Sequence, residues 1–123
     1  MTSRSIAHCH CGTVRLSFVM LGGIAGGGRC DCSLCRRKNG GAVTAAVSDL
    51  KIEKGEDVLR LYQFGTETAR HWFCSECGIH THHQRRSDPS EMGVNLGCVD
   101  GVPARVFDQL EWVDGVNHPS DAQ

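Results

Sequence analysis

Seven cysteines fall into three spaced groups, Cys9-x-Cys11, Cys30-x-Cys32-x-x-Cys35 and Cys74-x-x-Cys77, and Cys98 stands alone. Thiolates are soft metal ligands, and zinc takes four of them at about 2.3 Å in a tetrahedron. In an extended chain residues i and i+2 point to one face, so a C-x-C pair offers two sulfurs to one ion. A C-x-x-C turn does the same by curling, and Gly78 after Cys77 supplies the backbone freedom such a turn needs. Two pairs from distant segments therefore make one closed site. The natural assignment joins Cys9, Cys11, Cys74 and Cys77 in a structural zinc site that ties the N-terminal strand to the middle of the chain. Cys30, Cys32 and Cys35 then remain as three ligands on one short stretch. Three protein ligands with an open fourth position is the pattern of a catalytic zinc. On spacing alone Cys30 and Cys32 are also able to complete the first site. An iron–sulfur cluster fits less well, because its usual runs space the cysteines differently.

The remaining polar candidates are weaker. Cys98 lies in Val94-Asn95-Leu96-Gly97-Cys98-Val99, where a cysteine reads as a small buried hydrophobe rather than a nucleophile. His80, His82 and His83 invite a metal reading, and strand alternation puts His80 and His82 on one face. With enough cysteines present, they read as surface histidines or partners of ligands. His8 and His10 interleave with Cys9 and Cys11 and are expected to face away from a metal. Arg36-Arg37-Lys38 and Arg85-Arg86 read equally well as carboxylate-binding groups and as solvated turns. No Ser-His-Asp or Cys-His arrangement emerges. The run Gly22-Gly23-Ile24-Ala25-Gly26-Gly27-Gly28 matches no phosphate-binding loop and reads as a hairpin or a close backbone approach.

The elements that must hold these residues are short. Val14, Leu16, Phe18 and Met20 alternate with polar or outward positions, the period of a strand with one buried face. Further strands are expected over 42–47, 58–64, 69–73, 79–83 and 92–99, with a two-turn helix over 33–39 capped by Ser33 and ended by Asn39-Gly40-Gly41. Residues 85–91 read as a polar loop and 115–123 as a loose tail. The expectation is one all-β domain spanning 1–123, with its core at about 5–107, built from short antiparallel strands with little helix.

The composition agrees with a metal-stapled domain. In 123 residues there are 8 Cys and 15 Gly, against 4 Phe, 2 Trp and 1 Tyr, a thin apolar supply for which bound metal would compensate. Thirteen Lys and Arg nearly cancel fourteen Asp and Glu, which speaks against a nucleic-acid partner. The longest uncharged stretch, Leu16 to Gly28, is too short and glycine-broken to span a membrane. Met1 to Cys11 carries no secretory h-region, and eight cysteines without one point to the reducing cytoplasm, where such clusters bind metal.

Together, Ala7-His8-Cys9-His10-Cys11-Gly12-x-Val14, Cys30-Asp31-Cys32-Ser33-x-Cys35-Arg36 and Phe73-Cys74-x-x-Cys77-Gly78 resemble the glutathione-dependent formaldehyde-activating enzyme family, which includes centromere protein V. Lys54-Gly55-Glu56, Leu61-Tyr62-Gln63-Phe64 and Gly97-Cys98-Val99-Asp100 match its middle and late segments. The resemblance implies a β-tent domain with two zinc ions per chain. It places the structural ion on Cys9, Cys11, Cys74 and Cys77 and the catalytic ion on Cys30, Cys32 and Cys35. It also implies a carbon–sulfur lyase-type reaction between a small-molecule thiol, glutathione, and a carbonyl, formaldehyde. The histidine run after Gly78 departs from the more apolar stretch expected there. A competing reading is a non-catalytic binding module with both zinc ions structural. A third is repair of oxidised methionine through a reactive Cys98.

Overall fold

The computed structural model describes residues 3–118. Strands β1 (Ser5–His8) and β2 (Arg15–Phe18) pair antiparallel with Ala7 opposite Leu16, and β5 (Lys51–Lys54) adds to β2, making a three-stranded sheet. The larger sheet has seven strands. Its members are β3 (Gly28–Cys30), β4 (Ala42–Ala46), β6 (Leu59–Tyr62), β7 (Arg70–Cys74), β8 (His80–Gln84), β9 (Glu91–Asn95) and β10 (Glu111–Val113), ordered β10-β3-β4-β9-β8-β7-β6. A single helix, α1 (Ser33–Lys38), and four short 3-10 segments complete the described chain. The protein is thus mainly β, as expected, and no described helix is long and apolar enough to cross a membrane.

The inward positions of both sheets meet in one core. Ala7, Leu16 and Phe18 come from the small sheet, and Val43, Ala45 and Val94 from the large one. Each of these is essentially inaccessible to water, and Ser17 and Thr44, between them on β2 and β4, are also buried, so both faces of these strands are covered. Bridges between Ala7 and Val99 and between Leu21 and Thr44 knit the layers together.

Several local expectations are corrected. The helix is capped not by Ser33 but by Cys32, whose sulfur accepts the Cys35 N–H at 3.3 Å; Asn39 ends it in the left-handed region. The stretch 92–99 leaves the sheet after Asn95, because the Asn95 side chain accepts the Gly97 N–H and turns the backbone into a 3-10 segment over Leu96–Cys98. The stretch 58–64 opens with a 3-10 turn over Glu56–Val58, and its strand, β6, is a sheet edge, which leaves Leu61 and Tyr62 exposed. The pairing of β10 with β3 is parallel rather than antiparallel. The tail expectation falls partly on residues 119–123, which lie outside the described residues. Residues up to His118 are tied down: Gly115 is buried, and its N–H donates to Asp31 Oδ1 at 2.7 Å. The glycine run makes a 3-10 turn and then passes close to β4, where a Cβ on Gly27 would sit 2.6 Å from the Ala42 carbonyl oxygen.

Candidate metal centres

Cys9 and Cys11 sit in the turn between β1 and β2, not in an extended segment. The Gly12 N–H reaches the Cys9 carbonyl at 3.1 Å, and Gly12 takes φ 81°, a conformation open to glycine. Curling rather than alternation therefore aligns the two sulfurs, 3.6 Å apart. Cys74 ends β7 and Cys77 lies in the turn to β8, closed by Gly78 N–H to Cys74 O at 2.7 Å with Gly78 at φ 77°, the role its position suggested. The four sulfurs lie within 4.8 Å of one another, with Cys11 and Cys74 at 3.8 Å. A tetrahedral ion at about 2.3 Å from each sulfur needs sulfurs about 3.8 Å apart, so this donor set fits zinc. Its surroundings act on the thiols in opposite directions. The Thr13 hydroxyl beside Cys11 lowers that thiol, and the Cys11 N–H holds Cys77 down to about 6, while burial pushes Cys74 up to about 11.

Cys30, Cys32 and Cys35 make the second cluster, their sulfurs again within 4.8 Å of one another. Cys30 ends β3, Cys32 caps α1, and Cys35 lies in its first turn, so one tight strand-to-helix junction gathers all three. The Cys35 thiol donates to the Cys30 sulfur. That bond holds Cys30 down to about 6 and pushes Cys35 up. The two clusters share no residue, so the four-plus-three partition is the arrangement present. Cys30, Cys32 and Cys35 also line a cavity of about 1020 Å³. Gly115 closes over them from the C-terminal side, where a Cβ would collide with the Cys30 sulfur and lie 2.6 Å from Cys32 Cβ.

Residues 4–112 match the family of glutathione-dependent formaldehyde-activating enzymes. The chain belongs to that family. A crystal structure of a Rhodobacter sphaeroides protein is similar to it at 51% identity and a TM-score of 0.84, covering 88% of this chain and 99% of that one. In this family member the other sequence candidates separate clearly. Cys98 is buried, its thiol is pushed up to about 12 by burial, and its sulfur donates to the His80 carbonyl at 3.6 Å. That environment suppresses a thiolate nucleophile and removes the support for methionine repair through Cys98. His8 turns to Asp100 at 3.1 Å. Arg37 bonds its own helix at Ser33 O, and Arg85 bonds Thr44 Oγ1. Of the basic run, Lys38 enters the cavity that the second cysteine cluster lines, one helical turn beyond Cys35.

The histidines do not follow simple alternation. A β-bulge shifts the β7–β8 register between Trp72 and Phe73, so Trp72 faces His82 while Phe73 faces His80. The extra residue carries His80 to the same side as His83, their ring centroids 5.8 Å apart. His82 instead stacks on Trp72 and is buried, with Nδ1 2.8 Å from Thr81 Oγ1. The expected pairing of His80 with His82 is therefore replaced by His80 with His83. His71, opposite His83 on β7, joins them at 5.3 Å. The sequence offers no periodic signal for this, because a bulge depends on the partner strand.

Proposed function

We propose that this protein is a zinc-dependent carbon–sulfur lyase-type enzyme that joins a thiol, glutathione, to formaldehyde or a related small carbonyl in the cytoplasm. The observation that carries the reading is the contrast between the two clusters. Four sulfurs make a closed set in the β-turns, whereas three sulfurs line a cavity large enough for a peptide thiol. Cys9, Cys11, Cys74 and Cys77 would hold a structural zinc, and Cys30, Cys32 and Cys35 a catalytic one. When bound at the three-sulfur set, zinc would supply a positive charge that favours the thiolate form of an incoming thiol or polarises a carbonyl.

The chain's own residues supply position and shielding. Asp31 accepts the N–H groups of Gly115 and Val116 at 2.7 and 3.2 Å, which packs the C-terminal strap against Cys30 and Cys32. Lys38 brings a cation to the same cavity. In the reaction a sulfur–carbon bond forms, the carbonyl π bond breaks, and the proton lost by the thiol ends on oxygen. No oxidant or reductant is consumed.

The test is to follow S-hydroxymethylglutathione formation by NMR with zinc-loaded protein, glutathione and formaldehyde. The expected result is a rate well above the protein-free control, lost in Cys35→Ser. A rate equal to that control overturns this thiol and carbonyl pair. The cavity gives a small molecule access to the three-sulfur cluster, which favours the enzyme over a module with two structural ions.

A further inference from the structure

The wall of the cavity beside the three-sulfur cluster is built from histidines, and its hydrogen-bonding capacity is almost entirely of one kind. His71, His80 and His83 form a triangle of rings with centroids 5.3, 5.8 and 6.1 Å apart, and all three line the same cavity as Cys30, Cys32 and Cys35. Gly93, opposite His83 on β9, makes the cradle, since a Cβ there would collide with the His83 ring. These rings do not gather as a third metal site. Among the described residues only the two cysteine groups bring three or more ligand atoms within 4.8 Å of one another.

The proton on each ring follows from its partners. Nδ1 of His71 and Nδ1 of His83 are buried with no hydrogen-bond partner among the described residues, and His71 as a whole is only 8% exposed. A buried N–H without an acceptor is costlier and rarer than a buried lone pair without a donor. The proton of each neutral ring therefore sits on Nε2, which remains as the donor the ring can offer. His80 is held the other way round. Lys38 Nζ lies 3.3 Å from its Nε2, and an ammonium can only donate, so His80 keeps its proton on the other nitrogen, where the Trp72 backbone carbonyl accepts it. Burial and the Lys38 charge hold all three rings neutral, with His71 at about 4 and His80 at about 2. Among the described residues no carboxylate pairs with any of these four side chains. The result is two imidazole N–H groups, on His71 and His83, and an ammonium held by His80 beside a thiol-binding cluster, with no carboxylate to pair them.

We infer that His71, His83 and Lys38, the last held in place by His80, form an oxyanion-binding wall for the oxygen of the carbonyl substrate. The assignment rests on the thiol–carbonyl reading above. As sulfur adds to the carbonyl carbon, the π pair moves onto oxygen, and preformed donors are most effective where charge develops in a site shielded from water. A donor-only wall accepts that oxygen and rejects an alkyl group in its place, because desolvated donors would then be left unpaired.

Two stable glutathione conjugates test this by equilibrium binding to the zinc-loaded protein. S-acetylglutathione places a carbonyl oxygen on the carbon attached to sulfur, and S-isopropylglutathione puts a methyl group in the same position. The wild type is expected to bind the acetyl conjugate at least tenfold more tightly. His80→Phe and His83→Phe, each checked for unchanged zinc content and melting temperature, are expected to reduce the ratio to below threefold, with His80→Gln retaining most of it. If either Phe variant fails to fold, the His80→Gln and wild-type ratios still decide. Equal affinity of the wild type for both conjugates overturns the wall while leaving the thiol reading in place. Variants that weaken both conjugates alike with the ratio unchanged also overturn it, since the wall would then hold a glutathione carboxylate. Binding of neither conjugate overturns the proposed function, and the wall with it.

Discussion

The backbone N–H of Gly115 donates to Oδ1 of Asp31 at 2.7 Å, joining two residues 84 positions apart directly over Cys30 and Cys32. Asp31 sits between two of the clustered cysteines, and Gly115 follows the last strand of the large sheet. The bond therefore clamps the end of the described chain onto the three-sulfur cluster.

Gly115→Ala is expected to damage that cluster alone. The added Cβ collides with the Cys30 sulfur and crowds the Cys32 backbone, and displacing a ligand's support costs about 10–100-fold in metal affinity. Zinc titration should show two ions per chain falling to one under mild chelation, with the melting temperature little changed. Retention of both ions at wild-type affinity would contradict the packing described.

The two clusters should differ in what they contribute to stability. Cys74 is fully buried at the end of β7, and its cluster joins two turns 63 residues apart, so Cys74→Ser removes a cross-link from the core. A loss on the order of 3 kcal/mol or more is expected, about 10 °C in melting temperature for a domain of this size. Cys35→Ser, at the edge of the cavity, is expected to lower the melting temperature by less than about 4 °C while abolishing adduct formation. Equal destabilisation by both variants would favour two structural ions.

His82 gives the protein an acid-sensitive limb. Burial against Trp72 lowers its pKa from the ordinary 6.5 to about 4, so as pH falls the unfolded chain binds the proton first. Stability is whole above pH 6.5 and declines until about pH 4. The share of this one ring amounts to about 2 kcal/mol between pH 7 and pH 5. Urea unfolding of zinc-loaded His82→Phe at the two pH values should show a loss smaller than that of the wild type by about that amount. An identical loss would exclude His82 as a source of the acid limb.

Gly93→Ala probes the cradle under His83. The Cβ meets the imidazole ring with no open space beside it, and overpacking of this kind costs about 1–3 kcal/mol. Chemical denaturation should register that loss, and the preference for the acetyl over the isopropyl conjugate should fall with it. A stable variant with wild-type preference would show that the ring position does not matter.

Much of the metal chemistry was legible because it is local. A C-x-x-C followed by glycine makes its turn from a handful of residues, and Gly78 takes the left-handed conformation that its place implied. The helix after Cys30 was legible too, although its cap was not, since the Cys32 sulfur competes with the Ser33 hydroxyl for that role and only the chain entry angle decides. The histidine faces were misread for a nonlocal reason. Alternation assumes an unbroken ladder, and the bulge opposite Trp72 and Phe73 inserts a residue that only the partner strand reveals.

By itself, the order of residues determined the mainly β character, the family, and the spacing within each of the three cysteine groups, because ligand spacing and strand period act over a few residues; which groups share an ion's worth of space was left to the tertiary structure. Tertiary structure alone decided that Gly115 closes on Cys30, that Lys38 meets His80, and that His71, His80 and His83 share one wall. Those contacts join segments 42 to 85 residues apart or hang on strand register, and no local preference encodes which distant backbone a side chain will face.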